Sequence, residues 1–185
     1  MKYILITILI ASIFMACNKD KEVSDNPTPI NNLINNASFE INGQGSVNGW
    51  NLVKDFRTFP DTFSNTVPVG GGQFSLRLEG TKDVKWNPYA ETYITNISGK
   101  KIISLSAYIR SLYGGQDIYL SLYHIRGGQV IDSKSDSHLA FNDWKKFSVI
   151  DTLALQNQDS LRVKIMQTTS QNSGAYIDLV ELTTN

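Results

Sequence analysis

The sequence predicts an all-β protein, a two-sheet antiparallel sandwich of about eight or nine strands. Two observations carry this. After residue 30 no segment holds an apolar i, i+3, i+4 pattern long enough for a helix. Short stretches of strict apolar–polar alternation appear instead, separated by Gly, Asn, Asp and Ser. Each such strand has one apolar face, and a sheet buries that face against a second sheet.

The charge balance and cysteine content narrow the function. The 185 residues carry 17 Lys+Arg against 17 Asp+Glu. That balance excludes nucleic acid as a partner, because phosphate binding needs a basic surface. The single Cys excludes an intrachain disulfide framework and a Cys-rich zinc site.

In chain order, residues 1–16 read as an export signal. Lys2 supplies the positive start, Ile4–Ala11 the apolar run, and Phe14-Met15-Ala16 leads to Cys17. Small Ala before Cys resembles the lipobox of bacterial lipoproteins, although Phe14 stands where Leu is usual. The resemblance implies that Cys17 is lipidated and anchors the chain in the outer membrane, at the cell surface. The plain alternative is a secretory signal with a chance Cys. Residues 17–30 form a flexible tether. Its charged start, Lys19-Asp20-Lys21-Glu22, is similar to the tags that send Bacteroidetes lipoproteins to the surface, and Pro27 and Pro29 mark an extended linker. Residues 31–185 are the folded domain.

Within that domain, Trp50–Val53 is a short strand after Asn48-Gly49. Phe74, Leu76 and Leu78 alternate with Ser75, Arg77 and Glu79 after Gly70-Gly71-Gly72. Ala90, Thr92 and Ile94 alternate with Glu91, Tyr93 and Thr95. The longest clean pattern sets Ile103, Leu105, Ala107 and Ile109 against Ser104, Ser106, Tyr108 and Arg110. Ile118, Leu120 and Leu122 alternate with Tyr119, Ser121 and Tyr123 before Gly127-Gly128. Strands at Phe147–Ile150, Leu161–Met166 and Tyr176–Leu182 complete the series.

Five motifs in order resemble the carbohydrate-binding modules of families 4, 9 and 22, jelly rolls of the galactose-binding-like type. These are Asn32–Glu40 with Gly49-Trp50, Gly72–Leu78, Ile97–Arg110, Trp144-Lys145-Lys146-Phe147 and Ala175–Leu182. The resemblance implies a non-catalytic module that binds an oligo- or polysaccharide. It also implies a structural Ca²⁺ held with the help of Glu40 and Asp178, since hard oxygen donors suit that ion. The family's last motif often reads Asp-Asp where this chain has Asp178-Leu179, which removes one ligand. The plain alternative makes Glu40 and Asp178 turn and edge carboxylates.

Sugar rings stack their C–H faces on aromatic surfaces, and their hydroxyls take planar hydrogen-bonding groups. Trp50 and Trp144 match core positions. Trp86 and Tyr89 lie in the polar loop Lys85-Trp86-Asn87-Pro88-Tyr89, where an exposed indole suits a ligand or else folds back onto the sandwich. Phe56, Phe59 and Phe63 read as a plug at one end of the sandwich. Tyr108, Arg110, Tyr119, Tyr123, Arg77 and Glu79 fall opposite the aliphatic stripes. If their strands share one sheet they form a polar-aromatic floor for a glycan; otherwise they are solvated strand residues.

Catalysis finds no support. His124 falls in phase with the apolar stripe of its strand, His138 lies in a polar loop, and no nucleophile elbow, zinc helix or phosphate loop occurs. No spacing singles out a carboxylate pair for glycosidase chemistry. Three readings remain: a surface lipoprotein that binds glycan, a module that docks other envelope proteins with no sugar ligand, or an accessory domain that kept the fold and lost any ligand.

Overall fold

The computed structural model describes residues 31–55, 57–80, 87–168 and 173–185. The expectations for the signal peptide, Cys17, the tether, Phe56 and Trp86 lie outside the described residues. Among those described, no helix is long and apolar enough to cross a membrane.

The strands are β1 (Glu40–Ile41), β2 (Gln44–Gly45), β3 (Asn51–Val53), β4 (Phe63–Ser64), β5 (Ser75–Gly80) and β6 (Tyr89–Ile94). They continue as β7 (Gly99–Ser111), β8 (Gln116–Arg126), β9 (Gln129–Ala140), β10 (Lys145–Leu155), β11 (Ser160–Gln167) and β12 (Ser173–Thr184). A β1–β2 hairpin precedes two five-stranded antiparallel sheets. The first runs β10-β7-β12-β5-β4 and the second β3-β6-β11-β8-β9. The chain passes from one sheet to the other at most connections, so the two layers are woven together as a jelly roll.

Alternation does what the sequence predicts. Ile103, Leu105, Ala107 and Ile109 of β7 face Ile118, Leu120, Leu161, Val163 and Ile165 of the second sheet across a fully buried core. The amino-terminal segment closes it: Phe39 is fully buried and tilts against Trp50 at 4.9 Å, and the Trp50 indole donates to the Asn36 carbonyl.

Three details depart from the sequence reading. First, β9 forms where a polar loop is expected, and His138 sits in this strand with its ring stacked 4.7 Å from Phe147. An edge strand exposed over most of its length carries no apolar stripe, so periodicity cannot reveal it. Second, Trp144 is half-buried outside the inter-sheet core and leans on Tyr176 at 6.4 Å. Third, His124 is buried as a polar group: its Nε2 lies 2.7 Å from Asp159, whose carboxylate also receives Arg126. The Arg126 guanidinium holds the Asp159 carboxyl well below the usual carboxylate range.

Candidate functional site

The outer face of the second sheet is built in three rows that register dictates. Tyr123, Arg162 and Tyr93 stand side by side on β8, β11 and β6. Two residues along come Ser121, Lys164 and Glu91, extended by Asn51 of β3. The third row is Tyr119, Met166, Tyr89 and Val53. Four tyrosines therefore mark the corners of a patch roughly 10 by 13 Å, given the spacing of strands and residues.

The centre of the patch is cationic. The Arg162 guanidinium lies 4.2 Å from the Tyr123 ring centroid, and the Lys164 ammonium 3.8 Å from that of Tyr89. Each contact draws a charge over an aromatic face and fixes both groups. Burial pushes the Lys164 pKa down, Glu91 opposes this, and neighbouring Arg162 adds to it. Glu91 accepts from the Asn51 amide at 3.1 Å and lies 3.9 Å from Arg162 Nε. Tyr93 is half exposed at the rim. Planar aromatic surface and charged donors thus share one open face, with the buried Glu91 carboxylate among them.

The expected floor divides. Tyr89, Tyr119 and Tyr123 come together here, but Tyr108 and Arg110 stand on β7 of the first sheet and face the other way. Consecutive strands β7 and β8 belong to opposite layers, so equal phase in the sequence becomes opposite faces in space. On the first sheet, Tyr108 has Lys146 5.9 Å from its ring, and Arg110 pairs in register with Tyr176. Half-buried Arg77 pairs with buried Glu79 at 2.7 Å, and Tyr113 donates to the same carboxylate. Arg162, Lys164, Glu91, Asn51 and Tyr93 complete the second-sheet patch without having been singled out from sequence. Their alternation is visible, but the strand order that unites them is not.

Glu40 and Asp178 converge on the glycine turn before β5. Glu40 accepts the backbone amides of Gln73 and Phe74 at 2.6 and 3.0 Å. Asp178 is fully buried, accepts its neighbour's amide from Leu179 at 2.7 Å, and leaves Oδ2 without a partner among the described residues. A Cβ on Gly71 would stand 2.5 Å from that oxygen, and one on Gly72 would collide with the Glu40 carboxylate. Both acids adjoin left-handed, non-glycine residues: Phe39 at φ 55° precedes Glu40, and Leu179 at φ 48° follows Asp178 in a β-bulge. Such backbone is held only where the surroundings enforce it. Burial first, and the Glu40 charge after it, push the Asp178 carboxyl up to about 7. An orphaned buried oxygen beside a second carboxylate, over a turn with no room for a side chain, fits a hard cation. Among the described residues no third His, Cys, Asp or Glu joins them, so further ligands would be backbone carbonyls or water.

Solved structures share this architecture. The CBM22-1 xylan-binding domain of Paenibacillus barcinonensis Xyn10C superposes with a TM-score of 0.56 at 14% identity, over 84% of this chain and 95% of that one. The fold is that of the carbohydrate-binding modules. The module TmCBM61, solved with β-1,4-galactotriose, has a TM-score of 0.54 at 12% identity, over 83% of this chain and 99% of its own. The enzymatically active domain of bacteriophage CBA120 tailspike protein 4 reaches 0.64 at 14% identity, and there this chain spans only 21% of the longer protein. No protein-family model matches the sequence, and no curated protein does.

Proposed function

We propose that this domain binds an oligo- or polysaccharide, without catalysis, on the outer face of its second sheet. The observation that carries the reading is the placement of Tyr89, Tyr93, Tyr119 and Tyr123 around Arg162, Lys164, Glu91 and Asn51 on one open face. The tyrosines supply stacking surface for pyranose rings, while Arg162 and Lys164 donate to hydroxyls and Glu91 accepts from them. The module fold adds support, since neighbours of this fold are described with xylan and galactotriose. A shallow open face buries limited ligand area, so affinity is modest.

Cys17 serves in this proposal as the lipid anchor that displays the domain on the outer membrane, which rests on its position after the apolar leader. Glu40 and Asp178 would hold a structural Ca²⁺ that ties the amino-terminal segment to β12. The ion supplies charge compensation there and no chemistry.

Affinity electrophoresis through gels of plant, algal and bacterial polysaccharides tests the reading. Retardation in one glycan class, lost in Tyr123→Ala and in Lys164→Ala, supports it. No retardation of a folded protein in any class, or retardation that survives both changes, overturns it.

A further inference from the structure

Strand β9 is the open edge of the second sheet: twelve residues long and, among the described residues, paired only with β8. An edge of this length is a template for another strand. Its side chains follow a pattern. Exposed apolar residues gather at or just beyond its two ends, Val130 (49%) and Ile131 (48%) at one, Leu139 (49%) and Phe141 (47%) at the other. Between them the charges alternate in sign as Asp132, Lys134 and Asp136, followed by His138.

We propose that β9 pairs antiparallel with β9 of a second copy of this chain, about a two-fold axis at Ser135. In that register Lys134 of each copy faces Asp136 of the other, and Asp132 faces His138. Ser133 meets Ser137, and exposed Ile131 meets exposed Leu139. Opposite charges set directly across a strand pair stabilise it, and like charges oppose it. The neighbouring centres fail this test. An axis at Lys134 sets that ammonium against itself and Asp132 against Asp136. An axis at Asp136 sets two carboxylates together. An axis at Ser133 puts Val130 against Asp136 and Ile131 against Ser135.

One further feature agrees. The bulge that shifts pairing between His124 and Ile125 leaves Ile131 as the extra residue, so 132–138 is the regular segment, and it is the one used. A two-fold contact of this kind uses the edge once and closes. It also makes the two second sheets continuous, with both tyrosine patches on one surface. This inference goes beyond glycan binding and does not rest on it.

Ser135→Cys in the full chain tests it. Directly opposed residues of an antiparallel pair stand close enough for a disulfide. Mild oxidation is expected to give a reducible species of twice the chain's mass, with Ser148→Cys on the exposed face of β10 as the control. Adding Lys134→Asp to Ser135→Cys lowers that yield about tenfold, and adding Asp136→Lys as well restores it. A yield no higher than the control, a swap that fails to restore, or a cross-linked product of another mass overturns the proposal. None of these outcomes depends on sugar, so the failure of either reading is seen separately.

Discussion

The two outer faces of the sandwich have almost the same residue types, and they use them in opposite ways. On the first sheet Arg77, Glu79, Lys146 and Glu181 are spent on ion pairs. Arg77 grips Glu79 at 2.7 Å and Asp61 at 3.1 Å, Tyr113 adds a hydrogen bond, and Lys146 closes on Glu181 at 2.6 Å. On the outer face of the second sheet, among the described residues, the nearest ion pair is the loose Arg162–Glu91 contact at 3.9 Å, and Lys164 rests on a tyrosine ring. A polar-aromatic face is therefore not in itself a binding face. What matters is whether its donors and acceptors already satisfy each other, because a ligand must offer more than the partner it displaces.

The largest effect should come from breaking the self-satisfied side. Glu79 is 1% exposed and bonds both Arg77 and Tyr113, while Lys54 beside them is already pushed down in pKa by burial. Glu79→Ala leaves the half-buried Arg77 short of its closest partner and should destabilise the fold by about 3 kcal/mol. Urea denaturation measures this, and glycan retardation of the protein that remains folded should be unchanged. A loss below about 1 kcal/mol would show that Asp61 and water replace Glu79 fully.

A smaller break lies at the bulge in the middle of β12. In the unfolded chain an aspartate titrates near about 4, whereas burial pushes Asp178 in the fold up to about 7. Between those values the folded state binds the extra proton, so its stability falls as pH rises and levels off above the upper one. In chelator, the melting temperature should drop from pH 5 to pH 8 more steeply for the wild type than for Asp178→Asn. Added Ca²⁺ should raise the wild type at pH 8 and leave Asp178→Asn unmoved. A wild type that gains stability with pH relative to the variant would contradict the assignment of cause.

Fold and site were legible to different depths in the sequence. Apolar alternation is a local signal, and it identifies the strands of the core because each buries one face. The same signal is silent for β9, whose Asp132–Ser135 run is exposed on both sides, and for the two-residue strands β1, β2 and β4. The carboxylates Glu40 and Asp178 were found through motif resemblance; the left-handed residues beside them have no sequence signature, since Phe39 and Leu179 are poor candidates for positive φ. The glycan face fared worst. Phase places Tyr108 and Tyr123 alike, one on each side of Gly114-Gly115, and only the crossing between sheets separates them. Sheet order is a property of long-range pairing, which no window of residues contains.

The smallest expected effect is also the sharpest discriminator between the faces. Tyr108 is half-buried on the first sheet, under a Lys146 that stays bonded to Glu181 whether or not the ring is present. Tyr108→Ala should cost within about 1 kcal/mol of stability, as an exposed strand position does, and leave glycan retardation as it was. Tyr123→Ala removes a ring that meets the Arg162 guanidinium at 4.2 Å. It should weaken binding about tenfold, or ~1.4 kcal/mol, at a similarly small cost in stability. Measured in one gel series, the pair assigns the ligand to a sheet. If Tyr108→Ala lost binding and Tyr123→Ala kept it, the glycan would belong to the first sheet, and Arg162 and Lys164 of the second would need another explanation.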